Sequence, residues 1–154
     1  MVVSYKPLGS VFETGAQMKR LSTQYFTDLL PFKRFSLPQF FDYVCKLPYI
    51  PDPNGIEFIQ RPAASLSKDA KHRDCDCKAI AIGSFLILQG LGKRFRFVAT
   101  SKKIDQALHH VLVEWDCGNG CCIFLDATYA KNRMFMQKKY TKTLPICDWV
   151  EVSK

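Results

Sequence analysis

Long apolar runs are missing from this chain. None approaches the roughly 20 residues that a membrane-crossing helix needs, so no membrane partner is expected. The opening stretch, MVVSYKPLGS, has neither the charged n-region nor the apolar h-region of a secretory signal, which makes a cytoplasmic location the expectation. Internal repeats and low-complexity segments are absent too, and 154 residues at 47% hydrophobic content suffice for a core, so the simplest organisation is a single domain over 1–154. Histidine is scarce: His72, His109 and His110 are the only three. Any chemistry that needs an imidazole must use one of them.

Acidic residues are also outnumbered, 14 against 22 basic ones, for a formal charge of +8. Clustered Lys and Arg bind phosphate by releasing counterions, but here they are dispersed over 19–20, 33–34, 93–96 and 131–142. In KRFRFVAT the alternation reads as a strand with Arg94 and Arg96 outward and Phe95 and Phe97 inward, a solvated face and not a phosphate groove. Nucleic acid is therefore not the expected partner. A basic surface equally suits an acidic protein.

Cysteine is plentiful. There are seven, an odd count that leaves at least one unpaired, and in a cytoplasm they are expected to be mostly reduced. Two of them stand in KHRDCDCKAIAIGSFLILQG (71–90), at the mouth of the most apolar segment.

The periodicity predicts a helix over 16–30, with Met18, Leu21, Tyr25 and Leu29 on one face. A second helix opens at Ser36 with Gln39 three places on, a capping-box pattern, and Pro48 stops it. YIPDPNG (49–55) is a loop, and IEFIQRP is a short extended piece ended by Pro62. A central helix, apolar on nearly all sides, runs from Cys75 to Gln89 and ends at Gly90. Strands follow at 94–100, 109–116 and 121–129, the last two joined through Gly118-Asn119-Gly120, with two short strands in 138–152 split at Pro145. Helices followed by antiparallel strands make an α+β pattern: a helical part at 1–50, a core at 56–130 and C-terminal strands at 131–154.

A thiol at a helix N-terminus is biased toward thiolate, and a neighbouring imidazole strengthens that bias. Cys75 holds such a position. It needs a base, and the base needs an orienting group. With Cys117 opposite Cys121, Leu112 falls opposite Asp126 and His110 opposite Thr128, so His110 and Asp126 become diagonal neighbours on one face. A two- or four-residue loop would send them to opposite faces.

The blocks FFDYVCKLPYIPDPNGIEFIQRP, RDCDCKAIAIGSFLILQGLGKRFRFV, HHVLVE and FLDATY resemble the transglutaminase-like cysteine peptidase superfamily, above all its small phage and bacterial members. The pattern there is roughly G-D-C-D-D-K-A, then H-x-x-x-E, then L-D-x-T, and the likeness spans residues 40–130. The resemblance implies a papain-like α+β fold with Cys75 as nucleophile, His110 as general base and Asp126 as orienting carboxylate. His110, not His109, keeps the four-residue spacing to Glu114. Asp76 matches the acid after the nucleophile, a charge at the helix N-terminus. Arg73 stands in place of the pattern's Gly, where it would crowd a substrate path or bind an acidic substrate, and Cys77 replaces an acid about 200° around the helix from Cys75.

The implied chemistry is acyl transfer on a peptide or other amide. The backbone N–H of Cys75 would donate to the oxyanion, with Gln60 as a candidate second donor. No cofactor or metal is expected, and hydrolysis is favoured over cross-linking because the chain is short. The expected partner is a peptide or protein substrate. Phage encoding, with a location in the bacterial host or virion, follows only from the resemblance.

Two rival readings stay open. Cys75, Cys77, Cys117, Cys121 and Cys122 with the histidines supply enough ligands for zinc, although not at the usual C-x-x-C spacing, and a Cys117–Cys121 disulfide is geometrically conceivable. Alternatively the chain is an inactive member serving as a virion or assembly protein.

Overall fold

A computed structural model describes residues 3–7, 10–101, 108–136, 138–140 and 142–152 of the protein. The parts expected at 1–50 and 131–154 include residues 1–2, 8–9, 137, 141 and 153–154, which lie outside the described residues. The elements in chain order are β1 (Val3–Pro7), α1 (Val11–Gln24), a 3₁₀ segment (Phe26–Phe32), α2 (Leu37–Lys46), β2 (Ile56–Gln60), α3 (Pro62–Ser65), α4 (Cys75–Gln89), β3 (Arg94–Ser101), β4 (His110–Gly118), β5 (Cys121–Leu125), β6 (Lys142–Pro145) and β7 (Val150–Glu151). The fold is α+β.

Helix α4 is the axis. Asp74 caps its N-terminus, accepting from the Cys77 N–H at 3.3 Å, and Gly90 ends it in the left-handed conformation, φ 62°, where a side chain would be strained. Its residues from Asp76 to Leu86 are all buried. Helix α1 brings Met18 and Leu21 against it, and α2 brings Phe40, whose ring stacks on Phe85 at 4.2 Å. The sheet closes the other side at Gly83, where a Cβ would lie 2.6 Å from the Phe95 ring. Only glycine lets Phe95 and Phe97 approach this closely. Each such fully buried Phe or Leu contributes ~1.5–3 kcal/mol.

Helix α2 has the expected capping box, with the Ser36 hydroxyl accepting from the Gln39 N–H and the Gln39 side chain accepting from the Ser36 N–H. Helix α1 begins earlier than its periodicity suggests, because Ser10 accepts from the Phe12 N–H and starts it. It ends at Gln24, before the tighter segment that contains Pro31.

The main sheet is antiparallel in the order β5-β4-β3-β6, with β7 also on β3, while β1 and β2 form a separate pair. Arg94 and Arg96 lie over the Trp149 ring at 4.4 and 4.2 Å and pair with Asp116 and Glu114, so these basic residues are already partnered. Among the described residues no helix is long and apolar enough to cross a membrane.

The β4–β5 hairpin differs from expectation at its tip. The turn is two residues, Asn119 and Gly120, both at positive φ (55° and 73°), closed by Gly118 opposite Cys121. A bulge at Cys117 absorbs the extra residue, so Asp116 faces Cys122 and Val113 faces Leu125. Turn and bulge together give the register that a three-residue loop would have given, and His110 and Asp126 stay on the same side.

Candidate active site

Cys75 is the first residue of α4, His110 the first of β4, and Asp126 follows the last residue of β5. All three line one cavity of about 230 Å³, together with Tyr49, Thr100, His109, Tyr129, Lys138 and Tyr140. Three elements deliver them because α4 packs across the sheet with its N-terminus at the open end of the β4–β5 hairpin. A larger open groove of about 550 Å³, between α1 and the β6–β7 connection, holds Cys147 but no histidine.

His110 Nε2 and Asp126 Oδ2 are 2.9 Å apart. Asp126 is buried and heavily served: the Thr128 N–H donates to it at 3.2 Å, the Tyr140 hydroxyl at 3.3 Å and Lys138 Nζ at 3.4 Å. Burial pushes its carboxyl up, but the bond and charge of His110, the Thr128 side chain and the charge of Lys138 outweigh it and hold the group well below the usual carboxylate range. It stays a carboxylate, and its backbone carbonyl is fixed by Asn132 Nδ2 at 2.9 Å. A carboxylate at Nε2 makes that nitrogen the N–H donor and leaves the lone pair on Nδ1.

The Cys75 thiol donates to Asp76 Oδ1 at 3.5 Å. Burial, with Asp76 and Asp74 beside it, pushes the thiol well above its ordinary value, while the backbone N–H of Val111, the residue after His110, works the other way. These surroundings favour the thiol form, so any nucleophilic use of this sulfur requires a base.

Asp52, Glu57, Asp74 and Asp76 form an interacting acidic group around the start of α4. Asp76 was expected to be a helix N-terminal charge. It is instead buried, and burial, Asp74 and Glu57 push its carboxyl far up, so it holds a proton. Burial and the charge of Asp52 push Asp74 up to about 7. Between the ordinary carboxyl value and about 7 the unfolded chain has released this proton and the folded chain retains it, so stability falls as pH rises through that window. At ~1.4 kcal/mol per pH unit of displacement the group accounts for at most ~4 kcal/mol, shared with its coupled neighbours. Asp74→Asn, which keeps the cap, flattens thermal stability between pH 4 and 7 and raises it above 7. Melting curves across that range with an undiminished slope would contradict this.

Gln60 does not line the cavity. It is buried, its amide nitrogen donates to the His72 carbonyl and reaches Cys77 Sγ at 3.9 Å, and it borders a separate cavity of about 320 Å³. His72 is there too, stacked on Phe58 at 4.0 Å and facing Asp52. Cys77 is fully buried against the Phe58 carbonyl, on the opposite side of the helix from Cys75. Arg73 neither crowds the cavity nor awaits an acidic ligand: it is 4% exposed and donates to the carbonyls of Pro48, Ser65 and Ser67.

For the zinc alternative, no three of His, Cys, Asp and Glu among the described residues converge to hold a metal ion. All seven cysteines are free, and Cys117 Sγ donates to the Cys121 carbonyl at 3.1 Å.

Sequence reasoning missed the cavity's aromatic wall. Tyr129 lies parallel to the His110 ring at 6.1 Å, Tyr49 lies against Tyr129 at 5.9 Å, and Lys138 Nζ sits 5.5 Å from the Tyr129 ring. Tyr129 directly follows the L-D-x-T block and was within reach of that signal. Tyr49 sits in a proline-rich loop and was not.

No known protein-family profile matches the chain, and no curated protein matches it significantly. Among solved structures it is similar to an EGTA-treated LapG of Legionella pneumophila, 19% identical, covering 82% of this chain and 75% of that one, with a TM-score of 0.47. A likeness of that size assigns neither family nor activity.

Proposed function

We propose that the protein is a papain-like cysteine peptidase or amidase in which Cys75, His110 and Asp126 act as a triad. The observation that carries this reading is the 2.9 Å His110–Asp126 pair lining the same cavity as a thiol at the N-terminus of the central helix. As Cys75 Sγ attacks an amide carbonyl, His110 Nδ1 takes the thiol proton, and the new imidazolium is stabilised by the Asp126 carboxylate. The first-turn N–H groups of α4 have no intrahelical acceptor, and that of Cys75 donates to the developing oxyanion. The imidazolium then protonates the leaving amine and the C–N bond breaks, leaving a thioester on Cys75. Water, deprotonated by His110, attacks the thioester and releases the acid. The substrate is a peptide or protein whose scissile bond enters between Tyr49, Tyr129 and His110.

The test is incubation with a defined mixture of tryptic peptides, followed by mass spectrometry for new termini. The untreated protein generates them and the iodoacetamide-treated protein does not. Absence of cleavage by either, or cleavage that survives alkylation of Cys75, would overturn the reading.

A further inference from the structure

We infer that Tyr49 supplies the side-chain hydrogen bond to the oxyanion, the role for which Gln60 is misplaced; this rests on the triad reading. Tyr49 lines the cavity beside Cys75 and is 44% exposed. Its position is fixed from both sides. The carbonyl of Pro48 accepts from Arg73 Nη1 at 3.1 Å, and Ile50 exchanges two backbone hydrogen bonds of 2.9 Å with Arg73, two residues before the nucleophile. The loop that carries Tyr49 is thereby fastened to the segment that carries Cys75. From the side, the Tyr129 ring packs against it at 5.9 Å.

No hydrogen bond to the Tyr49 hydroxyl is formed among the described residues. Burial raises its pKa, and the phenol lines the same cavity as Cys75 at the start of α4. A phenol so held stays protonated at neutral pH and is a donor there. A tetrahedral intermediate on Cys75 places its oxyanion next to the α4 N-terminus, where the Cys75 N–H donates from one side and the Tyr49 O–H from the other. Arg73 takes a second meaning from this arrangement: its bond to the Pro48 carbonyl and its backbone pair with Ile50 position Tyr49.

The experiment separates a step that forms an oxyanion from one that does not. p-Nitrophenyl acetate acylates a thiol through a tetrahedral oxyanion: the S–C bond forms, the thiol proton passes to His110 and p-nitrophenolate leaves. Iodoacetamide alkylates the same sulfur by displacement at a saturated carbon, with no oxyanion. Both adducts are located by quenched-flow mass spectrometry in the full chain and in Tyr49→Phe, which keeps the ring and its stacking on Tyr129. Loss of one oxyanion donor lowers the acylation rate of Cys75 by about 10²-fold and leaves alkylation of Cys75 within about two-fold. Equal loss of both rates would make Tyr49 merely structural and overturn the inference, as would no loss of either. If wild-type Cys75 acylates no faster than exposed Cys121 and Cys122, the triad reading itself falls, an outcome distinct from a failure of Tyr49 alone.

Discussion

Lys78→Met lowers the melting temperature by about 5–15 °C, a destabilisation of roughly 2–4 kcal/mol. Lys78 is 1% exposed, one turn along α4 from Cys75, and its Nζ donates to the carbonyls of Cys45 at 3.3 Å, Leu47 at 2.7 Å and Thr128 at 2.8 Å. Burial pushes the ammonium down to about 8, so at neutral pH it is charged and keeps all three donors. Methionine fills the same space but donates nothing. A buried ion pair replaced by apolar residues is often neutral because both partners leave together. Here the partners are backbone carbonyls that cannot leave, so three acceptors, those of Cys45 and Thr128 buried and that of Leu47 partly so, go unserved. Thr128 stands two residues beyond Asp126, and this knot ties the helix that begins at Cys75 to the loop that carries Asp126. Thermal melting checks the prediction, and a shift under about 2 °C would show that the carbonyls find water or other donors.

His110→Gln slows peptide hydrolysis by about 10²–10⁴-fold, the usual contribution of a positioned base, with the fold retained. The physical reason lies in the sulfur's surroundings. Burial and the neighbouring Asp76 and Asp74 oppose spontaneous ionisation of Cys75, so the thiol depends on a base more than an exposed one does. Glutamine preserves much of the volume and can still donate to Asp126, but it accepts no proton. A Gln variant that hydrolyses at the wild-type rate would remove His110 from the chemistry.

What the sequence disclosed of this fold is what local chemistry decides. The limits of α4 follow from the Asp74 cap and Gly90, and the start of α2 from Ser36 and Gln39, all within a few residues of the ends they set. The β4–β5 register was legible although the tip was not. Asn119 and Gly120 satisfy a two-residue turn, and the bulge at Cys117 restores the alternation that the apolar pattern demands. Features set by distant partners were illegible. Gln60 turns toward the His72 carbonyl, twelve residues on. Arg73, read as a potential substrate contact, is spent on three carbonyls of loops that only the folded chain brings together. Tyr49 reaches the cavity through the Ile50–Arg73 bridge, which no periodicity announces. Pro62, read as the end of β2, opens α3 at a first-turn position where its missing N–H costs nothing. Strand β1 pairs with β2 far along the chain and left no local signal.

The central claim is that His110 activates Cys75, and the most direct measurement is the second-order rate of iodoacetamide alkylation at each cysteine, read by peptide mass spectrometry in the wild type and in His110→Gln. The account predicts that the Cys75 rate falls at least about ten-fold in the variant while exposed Cys121 and Cys122 react unchanged. Equal Cys75 rates in the two proteins would contradict it.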